Sequence, residues 1–182
     1  PELHRDLLLW VRRCREQGLP IHPQGITALP GATFSLGDAY GIPGTDAAPP
    51  WKQVTTGPRE PRLALLSDPE HRARMKAQRP SRFLLADIGD IVLMSGKTEA
   101  SQRFKGRRIR EIAAALGKDE VDAMLDLVLA DGLGTTFYAQ TLNTDKELVK
   151  ELIAEDAVLA GASDGGAHTR WFTLGSYTTT YL

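Results

Sequence analysis

The chain has 182 residues, 42% of them hydrophobic and 25% charged, with a formal net charge of -1. This is the composition of a soluble globular protein large enough for a core of its own, and the near-zero charge removes the electrostatic case for nucleic acid or an anionic membrane surface as partner. No apolar run approaches the ~20 residues that span a bilayer, no secretory leader is visible, and the lone Cys14 excludes an internal disulfide and fits a reducing, cytoplasmic compartment.

Residues 3–17 carry Leu3, Leu7, Trp10, Val11 and Cys14 at helical spacing, with Gly18 as the stop signal, which predicts an amphipathic helix with that stripe inward. Leu19 to Gln24 is a short extended run whose two prolines make any strand here brief or place it at a rim. Residues 25–58 are rich in Gly, Pro, Ala and Thr without periodicity, and are expected to form a long loop or insertion. Residues 59–78 read as two helical pieces, the second started by Ser67-Asp-Pro-Glu70 with Ser67 as cap. Phe83 to Ile88 and Asp90 to Met94 read as two short strands, or one broken at Gly89. Helices follow over 107–116, with Ile109, Ile112, Ala113 and Leu116 on one face and Gly117 closing it, and over 119–130, with Val121, Met124, Leu125 and Val128 inward. Asn143 or Thr144 can cap a helix over 145–155, and Ala157 to Ala162 is the final strand. Helices separate the strands and no hairpin signal is present, so an α/β class with parallel pairing is expected. Three parallel strands cover neither their faces nor their edges. The chain is therefore expected to be part of a barrel or larger sheet. Its ends agree: it opens on Pro1 without an initiator Met and stops inside the apolar, β-branched stretch before Leu182. Processing of the N-terminus is the alternative.

The final strand runs straight into Ser163-Asp-Gly-Gly-Ala-His168. In an α/β fold, ligands bind outside the carboxyl ends of parallel strands. A carboxylate placed there, Asp164, is held by the sheet behind it. It can bind a divalent cation through one oxygen and take a proton from bound water with the other. Gly165 and Gly166 let the backbone turn and a ligand approach. His168 and Arg170 follow, and a guanidinium at 170 can hold a substrate carboxylate by a two-pronged hydrogen bond. The plainer reading of Asp164 is a turn residue bonded to its own backbone, and of Arg170 a solvated surface arginine.

The run Val158 to His168 resembles the last barrel strand of the amidohydrolase superfamily, nearest the branch of N-acyl-D-amino-acid deacylases (D-aminoacylases). Other stretches resemble the same branch in the same order: Gly18 to Gln24, Ser67 to Arg72, Gly106 to Ala113, and Asp122 to Leu127. The resemblance covers nearly the whole chain. It implies a (β/α)8 TIM-type barrel of which this chain would be the later part, about the last three strands and their helices. It implies a hydrolase acting on a non-peptide carbon–nitrogen bond of a small-molecule N-acyl amino acid or similar amide. The implied cofactor is a divalent metal, zinc by family habit, with Asp164 as proton shuttle and metal neighbour.

The family's His-x-His pair and its later Cys, Glu or modified Lys and His ligands have no counterpart here. The histidines are His4, His22, His71 and His168. A zinc site needs three or more protein ligands, so most are expected outside this segment, which by itself is not expected to be active. After His168 the sequence departs from the D-aminoacylase pattern, so substrate specificity does not carry over. A cyclic-amide hydrolase of the same superfamily uses the same Asp. A non-catalytic α/β binding module fits if 182 residues is the natural length. Self-association stays open at this stage.

Elsewhere, His22 is either a residue of the site mouth or a rim histidine, while His4 and His71 are expected solvated on charged helix faces. Trp10 and Cys14 are expected in the core. Trp51 either lines a pocket or pins its loop. Asp87 and Asp90 read as turn residues, and the basic run 105–110 as the lead-in of a helix.

Overall fold

Side-chain caps at Asp68, Asp119 and Asp145 each start a helix by accepting from backbone amides of its first turn. In the computed structural model, which describes residues 3–25, 31–38, 48–80, 86–140 and 144–161, the chain is mixed α/β. It divides into two units, Pro1–Pro30 with Asn143–Leu182, and Gly31–Leu142.

The first unit holds α1 (Leu3–Glu16), β1 (Gln24–Gly25), α8 (Lys146–Ile153) and β5 (Leu159–Ala160). Here β1 and β5 pair in parallel, Gln24 opposite Leu159 and Gly25 opposite Ala160. Each strand is preceded by its helix, so the unit is two helix–strand steps side by side. Asp145 caps α8 by accepting from the Glu147 and Leu148 amides, one residue later than expected. Two guanidinium groups join the helices: Arg5 donates to both Glu151 oxygens at 2.9 and 2.6 Å, and Arg12 pairs with Glu155. His4 Nε2 adds a 3.2 Å contact to Glu151, so His4 is half-buried and paired, contrary to expectation. On α1, Leu8, Val11 and Cys14 are buried, but Leu3, Leu7 and Trp10 are 71%, 54% and 52% exposed. Of the expected stripe only Val11 and Cys14 are covered, and Leu8 joins them in the buried face.

The second unit holds β2 (Gly31–Phe34), α2 (Pro49–Thr55), α3 (Arg59–Ser67), α4 (Pro69–Ala77), β3 (Val92–Ser95), α5 (Glu99–Gln102), α6 (Ile109–Leu116), α7 (Glu120–Ala130) and β4 (Thr136–Gln140). Its sheet has the order β2-β4-β3, and β4 is antiparallel to both neighbours. The expectation of parallel pairing therefore fails for β3. Three helices, α5 to α7, lie between β3 and β4 in sequence, and the chain returns from them antiparallel to β3. The expected loop over 25–58 also contains β2 and α2, and β4 was not foreseen. On the core face Phe34, Phe137 and Leu93 align by register and are buried, with the two phenyl centroids 5.6 Å apart. The far edge of β3 is covered by 106–109, through Gly106 N to Leu93 O at 2.7 Å and Ile109 N to Ile91 O at 2.8 Å. Val121, Met124, Leu125 and Val128 of α7 and Ile109, Ile112 and Ala113 of α6 are buried as their spacing predicts, and Gly117 closes α6 at φ 63°.

Trp51 lies on α2, is fully buried, and donates from Nε1 to Met75 O at 2.9 Å, so it pins α2 to α4. His71 corrects its reading as solvated. It is fully buried, with Nε2 2.9 Å from Pro50 O and Nδ1 3.2 Å from Arg74 Nη2. The cap of α4 is Asp68, not Ser67, and accepts from Glu70 N at 3.0 Å.

One buried carboxylate joins the sheet to the helices. Asp131, at the end of α7, accepts from Lys97 N, Thr98 N and Thr98 Oγ1 on one oxygen and from Thr135 Oγ1 on the other. A Cβ on Gly96 would overlap Asp131 Oδ2 and Ser101. Burial pushes the Asp131 carboxyl up, but hydrogen bonds from the Thr98 amide and from the Ser101, Thr98 and Thr135 hydroxyls outweigh it and hold it below its ordinary value. A depressed carboxyl stabilises the fold fully above its unfolded value and loses that contribution as pH falls through the folded one.

Asp131→Asn should cost about 1.5–3 kcal/mol at pH 7, read from urea unfolding. The gap from wild type should shrink as the pH drops below about 4. A gap that stays constant to pH 2 would show that the charge is not the source. The exposed Glu151 carboxyl is pulled down to about 2, first by Arg5 and then by His4. Its titration midpoint, followed by NMR, should rise toward 4.5 in Arg5→Ala, with little change in stability because the pair is solvated.

Candidate functional site

Parallel pairing fixes which end of β1 and β5 is which. Leu159 N donates to Pro23 O at 2.9 Å and Gly161 N to Gly25 O at 3.1 Å. The carboxyl ends of both strands therefore lie at one edge, and that edge leads into Ser163-Asp164. Gly161 is buried, and a Cβ there would meet Gln24 Cβ, so the close approach of the strands needs glycine at 161. Ala157 and Val158, which lead into β5, are buried at 1% and 3% exposure.

Asp164, Gly165, Gly166, His168 and Arg170 lie outside the described residues. The last described point is Gly161, three residues before Asp164. His22 is described and exposed, and it precedes β1. It stands at the amino end of the pair, opposite to the edge that leads to Asp164, which fits the rim reading. Asp87 accepts from Gly89 N at 2.8 Å, and Asp90 pairs with Arg110 at 2.9 Å, so both are turn residues tied to α6. The basic run 105–110 leads into α6 as expected.

Described residues line two clefts open to solvent. One, of about 440 Å³, lies between α1 and α8 over Leu8, Leu9 and Ala154, and the Arg5–Glu151 and Arg12–Glu155 pairs line it. The other, of about 430 Å³, is lined by Arg72, Gly117, Lys118, Asp119, Asp122 and Asp126. There Arg72 and Lys118 both hold Asp126, at 2.7 and 2.6 Å, and Lys76 holds Asp122 at 2.7 Å. Burial pushes Asp126 up, but Lys118 and Arg72 pull it down further, so it stays a carboxylate. Such paired charges are surface ion networks without an acid–base couple poised for transfer. Among the described residues no three His, Cys, Asp or Glu side chains converge where they could hold a metal ion.

Sequence reasoning missed one buried cation. Arg62 is 3% exposed, donates from Nε to Val54 O at 2.8 Å, and leaves Nη2 without a partner among the described residues. Burial pulls its guanidinium down from the ordinary value, against the attraction of Asp38. Its place on α3, within a charged run, gave no sign of burial. No helix among the described residues is long and apolar enough to cross a membrane.

No protein-family model, no curated protein and no solved structure matches the chain.

Proposed function

We propose that the chain is the later part of a metal-dependent amidohydrolase of the (β/α)8 type, which hydrolyses the amide of an N-acyl (D-)amino acid or a similar small molecule, with Asp164 supplied by this segment. The observation that carries the reading is the first unit. Two helix–strand steps, α1–β1 and α8–β5, place their strands parallel and adjacent, and the Asp-Gly-Gly run follows the carboxyl end of the second. That is where barrel enzymes keep their catalytic groups. The ordered resemblances to the D-aminoacylase branch support it. On this reading β1 and β5 are the last two strands of the barrel, not part of a set of three, and Gly31–Leu142 is a folded insertion between them.

The chemistry follows from a carboxylate at a rigid rim. A divalent metal, zinc in the family resembled, would be held mostly by residues outside this chain and would make a water acidic enough to ionise near neutral pH. Asp164 would take one proton of that water as its oxygen bonds to the amide carbon, and would return it to the nitrogen as the carbon–nitrogen bond breaks, leaving an amine and a carboxylic acid that then ionises in solution. On this reading Gly165 and Gly166 would leave room for the acyl group, and His168 and Arg170 would bind substrate, Arg170 through its carboxylate.

Asp164→Asn in the natural polypeptide should leave the circular dichroism spectrum and melting temperature unchanged. It should lower kcat by about 10²–10⁴-fold, the usual worth of a positioned proton-transfer group. The assay is a panel of N-acyl-D- and N-acyl-L-amino acids beside hydantoin-like rings. Turnover like that of the wild type would remove the role from Asp164, and a preference for the rings would move the substrate to cyclic amides.

A further inference from the structure

Between α5 and α6 the chain folds into a tight basic turn. Phe104 N donates to Ser101 O at 3.0 Å, Lys105 N to Gln102 O at 3.2 Å and Arg107 N to Phe104 O at 3.0 Å, while bonds from Gly106 N to Leu93 O and from Leu93 N to Arg107 O tie the turn to β3. Phe104, only 7% exposed, anchors it in the core, and the Arg103 guanidinium lies over the Phe104 ring, 4.5 Å from its centroid. Arg103, Lys105 and Arg107 stand out into solvent. Among the described residues none of the three meets a carboxylate within ion-pair distance. Elsewhere in the same unit Arg59, Arg72, Lys76, Arg79, Arg110 and Lys118 each sit on one. Five residues of chain reach at most about 14 Å between end Cα atoms, within about two Debye lengths at physiological salt. The three charges therefore repel one another, and their fields add outside the turn.

We propose that Arg103, Lys105 and Arg107 form a docking surface for an acidic segment of a partner protein, a short run of Asp and Glu. The surface belongs to the second unit and stands apart from the hydrolase reading. Charge complementarity calls for an anion, which would relieve a repulsion that the described residues leave in place. Met94, which follows Leu93 on β3, is 41% exposed and gives a peptide side chain an apolar contact beside the charges. At Gly106, with φ 81°, no atom beyond the chain neighbours lies within 4 Å of the place of a Cβ, so an extended segment can approach the backbone. The turn is held by its own bonds, so little ordering opposes binding. Nucleic acid fits less well. Single strands stack on exposed aromatic rings, and the ring here is buried under Arg103. A lipid surface takes an amphipathic helix with a whole apolar face, which one methionine does not supply.

An NMR titration of the natural polypeptide with a short synthetic peptide of Glu and Gly carrying one Leu tests the surface. At about 0.15 M salt the peptide should shift the Met94 methyl and the amides of 103–107, and leave the methyls of the buried Met75 and Met124 in place. The triple reversal Arg103→Glu, Lys105→Glu, Arg107→Glu should weaken binding at least about tenfold. Arg15→Glu, which reverses an exposed cation of α1, should leave it unchanged. Should the triple variant fail to fold, Lys105→Gln and Arg107→Gln singly should each weaken binding about two- to threefold. No shift at these positions up to about 1 mM peptide would overturn the proposal. So would equal weakening by Arg15→Glu, which makes the effect one of net charge. Tighter binding of a short oligonucleotide, or of phosphatidylserine vesicles, through the same three residues would overturn it as well, by giving the surface to nucleic acid or membrane. Amide turnover enters none of these readouts, so the surface and the role of Asp164 stand or fall separately.

Discussion

The first unit exists only if β1 and β5 meet, although all of Gly31–Leu142 lies between them in sequence. An unstructured connection of that length would make the meeting entropically costly, with a term growing as (3/2)RT ln n. The second unit removes most of that cost through its own sheet. Gly31, its first residue, is the register partner of Gln140, near its last. The antiparallel β2–β4 ladder therefore holds the entry and the exit of the unit side by side, and a domain whose ends are neighbours can be inserted between two strands with little penalty. A parallel β2–β4 pair would have put those ends at opposite edges of the sheet.

The ladder in turn depends on where β4 begins, and that is set by Asp131. A carboxylate at a helix C-terminus faces the negative end of the helix dipole, and here it is also buried. It is kept because two amides and three hydroxyls point at it. Those donors come from the β3–α5 turn, from α5 and from Thr135, the residue before β4, so one charge fixes three elements. The turn between α7 and β4 is strained in the process. Leu133 has φ 67°, a region that costs a non-glycine residue about 1 kcal/mol or more. It is held there by Leu133 N to Val128 O at 2.9 Å and by Ser35 Oγ donating to Leu133 O at 2.8 Å. The second of these bonds reaches the end of β2, so the strained turn also helps bring β2 to β4.

Helices with long periodic faces were legible from the residues alone. In α6 and α7 the buried inward positions and the Gly117 stop agree with local rules, because those rules depend only on neighbours in sequence. Strands β2 and β4 were not legible. Gly31-Ala-Thr-Phe34 and Thr136-Phe-Tyr-Ala-Gln140 alternate for only two turns of the pleat, and their apolar members, Ala32 with Ala139 and Phe34 with Phe137, make sense only once paired. Burial of His71 and Arg62 was hidden for the same reason. Each sits in a charged run and is enclosed by carbonyls of another helix, Pro50 O and Val54 O. Trp10 went the other way, since a helical stripe announces an apolar face without saying whether the described chain covers it. At the candidate site, residue type and resemblance singled out Asp164. Its neighbours in space depend on strands far away in sequence, which local patterns do not encode.

What the described residues do fix is how closely the two strands of the first unit meet. The pair has only two register partners, Gln24 with Leu159 and Gly25 with Ala160, so its geometry rests on the residues at its margins. A Cβ on Gly25 would come within 2.8 Å of Val158 Cγ1, and one on Gly161 within 2.5 Å of Gln24 Cβ. Glycine on each strand therefore lets the backbones approach where the buried Ala157 and Val158 pack, and the bond from Gly161 N to Gly25 O closes the ladder at its carboxyl end.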